Sequence, residues 1–260
     1  MSPSGCRIVL VRTHYPGNLG ATARVMGNFG LTNLVLVDPV ASVHSLEARR
    51  MARQGLSVLD SARVVPELGE AVADCVFTLA TSGLADGVVR ETFAGTPEQK
   101  LPELLAAMAS GPVALVFGPE PHGLSNAEIT RCHGLVHIQV EPSSPALNLA
   151  QAVAICCYQL HRLAANHRPD SLARVGDVAP FADQERMFDH LRQALEAAGY
   201  LYGTKAEPLM HAIRHLIGRS QPTPQEVKQL HGLARQLLWL SGQVKPAGDE
   251  TQADEPSRPA

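Results

Sequence analysis

Two polar residues that could act on a ligand, Asn18 and Arg24, stand six positions apart in the stretch RTHYPGNLGATARVMGNFG, residues 12–30. Gly17 and Gly20 lie beside them and predict a glycine loop that leads into a helix. A helix N-terminus binds anions through its free backbone amides. Its dipole disfavours a cation, so Arg24 requires an anion or carboxylate partner unless it is a surface arginine on an exposed face.

The glycine spacing argues against the common phosphate-binding loops. Gly17 and Gly20 form G-x-x-G, whereas a dinucleotide fingerprint needs G-x-G-x-x-G after a strand. Asp38 ends the second strand candidate, where a ribose-binding acid would stand, and it leaves a nicotinamide oxidoreductase as a distant alternative. The chain has no G-K-[ST], which excludes a Walker loop.

Two later stretches also read as strand, loop and helix. The first is LVFGPEPHGLSNAEI, residues 115–129, in which Glu120 lies between two glycines and Ser125 opens a capping box. The second is IQVEPSSPALNLAQAVAICCYQL, residues 138–160. It contains Asn148 in an apolar run, where an unpartnered amide would cost about 1–3 kcal/mol. Asn148 therefore needs hydrogen-bond partners.

Short apolar strands alternate with helical stretches over the first 165 residues. Their nearly continuous Val, Leu and Ile runs are typical of strands buried on both faces, so the pattern predicts an α/β fold with a parallel sheet flanked by helices. The predicted strands are 7–11, 33–37, 62–65, 75–81, 113–117 and 135–140. The predicted helices are 19–29, 45–54, 67–73, 97–109, 125–131 and 147–165.

A different organisation follows the predicted sheet. Residues 166–183 contain two prolines and no sustained period, so they read as a linker between a domain at 1–165 and a helical region at 184–245. The helical region contains three amphipathic segments, each followed by glycine, a common helix stop. These segments are 184–198, 206–217 and 224–241. The acidic tail, 246–260, has a composition typical of disorder.

Composition sets the class of protein. The 260 residues are 45% hydrophobic and 18% charged, which favours a globular chain with a sizeable core. The longest apolar run is too short to span a membrane, and the N-terminus lacks a signal-peptide pattern. Five cysteines without zinc spacing predict free thiols, no metal site and a cytoplasmic protein.

Charge is unevenly distributed along the chain. Residues 1–60 carry six Lys/Arg against three Asp/Glu, residues 61–185 carry seven against fourteen, and residues 186–245 carry eight against four. Two basic ends therefore flank an acidic middle. This distribution allows a nucleic-acid partner without requiring one, because solvated helix faces explain it equally well.

Three motifs in this order resemble those of the SpoU branch of the SPOUT methyltransferases. They are NLGATAR, LVFGPEPHGLSNAEI and PALNLAQAV. Within that branch the chain is most similar to the TrmJ-type tRNA 2′-O-methyltransferases, which act on nucleotide 32 of the anticodon loop. The likeness extends over nearly the whole chain.

The resemblance implies a C-terminal trefoil knot in the catalytic domain, a rare exception to unknotted chains. It also implies that the knot loops bind S-adenosylmethionine in a bent shape, largely through backbone groups. The matching cofactor-binding positions are Thr81, Ser82, Gly83, Gly118, Gly123, Leu124, Ile138, Pro145, Ala146, Leu147 and Asn148.

The same resemblance implies a homodimer whose site is completed across the interface, with the helix that follows Leu147 as part of that interface. Arg24, Asn18 and Glu120 match the catalytic positions. We expect Arg24 to bind the 2′ oxygen and an adjacent phosphate as a fixed cation, because a pKa above about 12 makes it a poor base. Asn18 would orient the nucleotide or Arg24. Glu120 would anchor its own loop or Arg24, or it would only cap a neighbouring turn.

The sequence departs from the family pattern at two places. Ala146 replaces a serine of many relatives, and Pro119 and Pro121 replace arginines, with His122 as a partial substitute. These changes leave open a ribosomal RNA methyltransferase and a catalytically weakened RNA-binding protein. The candidate tRNA-binding residues are Arg192, Lys205, Arg214, Arg219, Lys228 and Arg235. A helical dimerisation arm is the alternative for that region.

Overall fold

The computed structural model describes residues 3–83, 94–143, 146–166 and 178–243. In these ranges seven parallel strands form one sheet, in the order β3-β2-β1-β6-β4-β7-β5. The strands are β1 (Cys6–Val11), β2 (Asn33–Val37), β3 (Arg63–Val65), β4 (Phe77–Ser82), β5 (Ala94–Gly95), β6 (Val113–Phe117) and β7 (Gly134–His137). The predicted parallel α/β sheet is confirmed, and the knot stays a prediction.

The central strands explain the apolar runs of the sequence. Every residue of β1 and β6 is buried. Ile8 and Leu10 belong to the apolar cluster on one face of the sheet, whereas Val9 and Val11 belong to the cluster on the other. Helices therefore have to cover both faces, as expected for a parallel sheet.

Seven helices accompany the sheet. They are α1 (Pro16–Asn28), α2 (Leu46–Ala52), α3 (Leu56–Asp60), α4 (Leu68–Val72), α5 (Pro97–Ala107), α6 (Asn126–Thr130) and α7 (Leu149–Asn166), all within the described ranges. The two-residue strand β5 and the short helix α3 have no counterpart in the sequence prediction. Both are too short for an apolar period to develop.

The first glycines have a different role from the one expected. Helix α1 begins at Pro16, so Gly17 and Gly20 lie inside the helix and not in a loop before it. A Cβ at Gly20 would lie 2.0 Å from the carbonyl oxygen of Ala48. These glycines therefore allow α2 to pack closely against α1, which corrects the predicted glycine loop.

Three C-terminal helices form a small bundle with its own core. They are α8 (Phe181–Ala197), α9 (Ala206–Arg219) and α10 (Pro224–Gln243). Met187, Leu191, Met210, Val227 and Ala234 are buried together inside it. The predicted tail lies outside the described residues, as does most of the predicted linker. None of the helices in the described ranges combines the length and apolar character that a membrane span needs.

The bundle is docked on the sheet domain. The amide of Phe181 donates to the carbonyl of Cys75 at 2.8 Å, and the Phe181 ring joins the apolar cluster of the sheet. Glu185 forms ion pairs with Arg131 of the sheet domain and with Arg214 of α9. The end of the predicted linker is thus part of a packed interface.

His133 lies in this interface and is held neutral. Its Nδ1 accepts the amide hydrogen of Thr78 at 3.1 Å, so its Nε2 carries the proton and donates to Gln184 Oε1 at 3.2 Å. Burial lowers the pKa of the imidazole to about 4. Protonation would replace the acceptor at Nδ1 with a second donor.

We expect this histidine to make folding stability dependent on pH. Because its folded pKa is depressed, the unfolded chain binds the proton first, and stability falls as pH drops from about 6.5 to about 4. Urea unfolding at several pH values measures the effect. In His133→Asn this part of the pH dependence should be smaller, and an unchanged pH dependence in that variant would contradict the assignment.

Candidate active site

The predicted site residues follow four strands that are neighbours in the sheet. The order β1-β6-β4-β7 brings together the loops after these strands. In open parallel sheets, ligands bind at the carboxyl ends of the strands, where the chain direction across the sheet reverses. Here β2 lies on one side of β1 and β6 on the other, so the reversal falls at the β1–β6 crevice.

A cleft of about 300 Å³ opens at this edge of the sheet. The nine predicted cofactor-binding residues that line it are Thr81, Ser82, Gly83, Gly118, Gly123, Leu124, Ile138, Ala146 and Leu147. Glu120 and His122 also contribute to its wall. Pro145 lies outside the described residues. The structure therefore gathers positions from three separated loops, and their role in cofactor binding stays a prediction.

The loop after β6 turns back on itself. A Cβ at Gly118 would lie 2.2 Å from the amide nitrogen of Leu124, so only glycine permits this approach. The amide of Gly123 donates to the Pro119 carbonyl at 2.8 Å, and Gly123 has a φ of +68°. Leu124 is buried in the core, which ties the end of the loop to the sheet.

Glu120 fixes the loop between β1 and α1. One carboxylate oxygen accepts the amide hydrogen of His14 at 3.0 Å. The other accepts the amide hydrogen of Tyr15 at 3.3 Å and the side-chain amide of Asn18 at 2.9 Å. Glu120 therefore anchors the loop that precedes α1, so it acts as a cap to a neighbouring turn and does not bind Arg24 within one chain.

Asn148 completes a chain of hydrogen bonds between the three motifs. Its Nδ2 donates to Asn18 Oδ1 at 2.8 Å, and its Oδ1 accepts the amide hydrogen of Ala150 at 2.9 Å. Both ends of the Asn18 amide are thus engaged, by Glu120 and by Asn148. This answers the need of Asn148 for partners and gives the Asn18 side chain one orientation.

The carboxylate of Glu120 is kept ionised. Partial burial acts to raise its pKa, but the hydrogen bonds from Asn18 and from the amides of His14 and Tyr15 outweigh burial and lower the pKa below its ordinary value. The cleft wall therefore has a negative charge at neutral pH. This charge favours a cationic ligand in the space beside Glu120.

Arg24 is not part of this cluster within one chain. A separation of six helix positions places it about 240° around α1 from Asn18 and about 9 Å further along the axis. Its side chain is exposed and is not among the residues that line the cleft. Within one chain Arg24 is therefore the surface arginine that the sequence left open, and its catalytic role stays a prediction.

Sequence reasoning missed one ion pair near the site. Arg12 follows β1 with a φ of +48°, and its guanidinium binds the Glu128 carboxylate through contacts of 2.8 and 3.1 Å. Partial burial acts to raise the pKa of Glu128, but Arg12 and Ser125 lower it overall. Glu128 also completes the capping box that Ser125 opens. The position of Arg12 at a strand end was the available signal.

The predicted RNA-binding residues fall into two groups. Arg192 contacts Glu207 at 2.7 and 3.2 Å, and Arg214 pairs with Glu185 while its guanidinium lies 4.5 Å from the Phe188 ring centre. Both therefore have intrachain partners. The four remaining residues, all exposed, are Lys205, Arg219, Lys228 and Arg235.

A metal centre has no support in the described part of the chain. There, no three His, Cys, Asp or Glu side chains cluster in a way that would hold an ion. All five cysteines are buried free thiols.

The family comparisons agree with this site. Residues 5–158 match the model of the SpoU rRNA Methylase family, and residues 182–250 match that of the TrmJ C-terminal domain. The chain therefore belongs to the SpoU methylase family and, within it, to the TrmJ branch. The predicted family is confirmed.

Individual relatives cover nearly the full chain. The tRNA (cytidine/uridine-2′-O-)-methyltransferase TrmJ of Escherichia coli strain K12 is 35% identical over 230 residues, which are 87% of this chain and 92% of that protein. The crystal structure of TrmJ from Z. mobilis ZM4 has a TM-score of 0.73 at 31% identity and covers 89% of this chain and 98% of its own. A probable methylase from Haemophilus influenzae has a TM-score of 0.59 at 26% identity over 93% of this chain and 99% of its own.

Proposed function

We propose that this protein methylates the ribose 2′ oxygen of tRNA with S-adenosylmethionine as donor, at nucleotide 32 of the anticodon loop. The observation that carries the proposal is the hydrogen-bonded chain from Glu120 through Asn18 to Asn148, which joins the three family motifs beside one cleft. The names of the TrmJ relatives support the tRNA substrate and the 2′-O chemistry. Nucleotide 32 rests on the family resemblance.

The cleft suits S-adenosylmethionine. Its volume of about 300 Å³ is at the lower end of small-ligand pockets. The close turn at Gly118 leaves backbone groups free of side chains, and Leu124 and Ile138 offer apolar contact for a base. The ionised Glu120 favours a cationic ligand. When bound, the cofactor supplies a methyl group on a positively charged sulfur, which an oxygen nucleophile can attack in line.

This chain's residues contribute positioning and charge. Glu120 and Asn148 hold Asn18 in one orientation, so the start of α1 is preorganised for the nucleotide. The Arg24 guanidinium binds the ribose 2′ oxygen and a neighbouring phosphate, lowers the pKa of the hydroxyl and stabilises the oxyanion that develops. Because Arg24 is remote from the cleft of its own chain, we assign it to the cleft of a second copy in a homodimer.

A layer formed by the two helices α1 and α7 supports this dimer. Helix α7 exposes Ile155 and Tyr158, which are 37% and 52% accessible. The Tyr158 ring lies 6.0 Å from the ring of Phe29, at the end of the helix that carries Arg24. An apolar patch continuous with α1 is what an interface that delivers Arg24 requires.

We expect the double variant Ile155→Glu, Tyr158→Glu to be monomeric and to lose methyl transfer, because two buried carboxylates would oppose the interface. Light scattering after gel filtration measures the mass. Val40→Glu, at an exposed apolar residue outside this layer, is the matched control and should stay dimeric. A fully active monomer would contradict the shared site.

The proposed reaction is tested by incubating the protein with labelled S-adenosylmethionine and, in parallel reactions, bulk tRNA or ribosomal RNA, followed by nucleoside mapping. A 2′-O-methylated pyrimidine at position 32 supports the proposal. Label in ribosomal RNA alone would favour the ribosomal alternative. Cofactor or RNA binding without transfer would favour a catalytically weakened protein, as the Ala146 replacement of the family serine allows.

A further inference from the structure

Four basic side chains are arranged in pairs on two packed helices of the C-terminal bundle. Arg186 and His190 are four positions apart on α8, and His231 and Arg235 are four positions apart on α10. Residues four apart share one helix face. The Nδ1 atoms of the two histidines are 2.9 Å apart, so the two faces meet. We call these four residues the cationic seam.

The histidine contact limits how charge is distributed in the seam. A hydrogen bond between two Nδ1 atoms needs one proton between them, so one ring donates and the other accepts. Both rings are half-buried, whereas Arg186 and Arg235 are exposed. The seam therefore has two permanent positive charges at its surface and gains a third when the donating ring is fully protonated.

Acidic groups compensate this charge only in part. Asp183 pairs with Arg186, and among the described residues no carboxylate forms an ion pair with Arg235. Burial lowers the pKa of His231, and the nearby His190, Arg235 and Arg186 lower it further, while Asp183 acts in the opposite direction. The net potential at the seam is positive, and an anion there would be stabilised.

An exposed aromatic residue continues the seam. Trp239 is four positions beyond Arg235 on the same helix, is 58% accessible and is the only tryptophan of the chain. Guanidinium groups bind phosphate in a planar fork, and exposed aromatic rings stack on bases. A surface with both functions side by side fits a polynucleotide better than a free phosphate or an acidic protein.

We propose that the cationic seam binds backbone phosphates of the tRNA substrate and that Trp239 stacks on one of its unpaired bases. This inference rests on the proposed function. It relies on Arg235, which has no ion pair among the described residues, and on Arg186, whose partner Asp183 is a single carboxylate. In contrast, the guanidinium groups of Arg192 and Arg214 are engaged by Glu207 and Glu185.

The single tryptophan provides a direct test. Titration of the full-length protein with bulk tRNA should quench Trp239 fluorescence, and the double variant Arg186→Gln, Arg235→Gln should bind about tenfold more weakly. Its slope of log affinity against log salt should fall by about 1 to 2, since one or two phosphate contacts are lost. Asp183→Asn removes the opposing charge and should bind more tightly.

The matched control is Arg63→Gln, at an exposed arginine on the sheet edge, which should leave affinity and salt slope unchanged. Filter binding and methyl transfer are measured in parallel on every variant. If wild type binds and methylates tRNA while the double variant keeps its affinity and slope, the seam is overturned and the proposed function stands. If tRNA binds without quenching Trp239, the stacking contact is overturned. If the wild-type protein methylates no tRNA, the proposed function is overturned, whatever the double variant shows.

Discussion

Replacing Arg24 with alanine should reduce methyl transfer to tRNA by about a hundredfold to a thousandfold, the range seen when one oxyanion-stabilising donor is lost. S-adenosylmethionine affinity should change little, because in the proposed mechanism Arg24 contacts the ribose oxygen and a phosphate of the tRNA and not the cofactor. Stability should change by less than about 0.5 kcal/mol, since the side chain is exposed. Single-turnover methyl transfer, calorimetry with the cofactor and thermal melting separate these effects.

Two further variants of arginines define the role. Arg24→Lys keeps the charge but loses the planar fork, so we expect intermediate activity. Arg50→Ala, at an exposed arginine of the neighbouring helix, is the control and should remain fully active. Full activity of Arg24→Ala would contradict the electrostatic assignment.

A mixed-dimer experiment tests whether Arg24 acts in the second copy. Arg24→Ala is co-expressed with Gly118→Val, whose side chain would collide with the amide of Leu124 and close the cofactor loop. Each variant alone should be inactive. Half of the dimers in an equal mixture contain both chains, and each of these has one intact site, so about a quarter of wild-type activity should return. If dimers shown to contain both variants recover no activity, Arg24 does not act in the cleft of the second copy.

The sequence predicted the sheet well because buried parallel strands have a strong apolar signature. The bounds of β2 and β6 agree with it, and the strand ends that it indicated do meet at one cleft. It could not show which polar side chains touch. Asn18 and Asn148 are 130 positions apart, and Arg12 and Glu128 are 116 apart. Such pairs depend on side-chain directions, which periodicity does not contain.

The same limit explains the misassigned glycines and why Arg24 lies away from Asn18 within one chain. A G-x-x-G after a strand reads as a ligand loop, yet the space at Gly20 is taken by the backbone of a neighbouring helix, at Ala48. The family motif places Arg24 near the reaction, but the period of α1 turns it away from Asn18. Arg24 can therefore reach the reaction only in the cleft of a second chain. That arrangement depends on how two chains assemble, which a motif in one sequence does not describe.

Replacing Glu120 with glutamine should destabilise the fold by about 1–3 kcal/mol, because the amide of glutamine would face backbone donors that need an acceptor. At present the two carboxylate oxygens accept hydrogens from His14, Tyr15 and Asn18. With the loop before α1 released, methyl transfer should fall by about tenfold to a hundredfold through lost positioning. Urea unfolding and methyl-transfer kinetics measure the two effects, with Glu103→Gln, at an exposed residue of α5, as the control.

The pH dependence gives this prediction a second measurement. The folded pKa of Glu120 is depressed, so its contribution to stability is complete above the ordinary carboxyl pKa and is lost as pH falls through the folded value. The stability difference between wild type and Glu120→Gln should therefore be constant from pH 5 to 8 and shrink below about pH 4. A difference that persists unchanged at pH 3 would show that the glutamine acts through packing and not through the missing charge. A difference that vanishes at neutral pH would show that Glu120 does not hold the first motif in place.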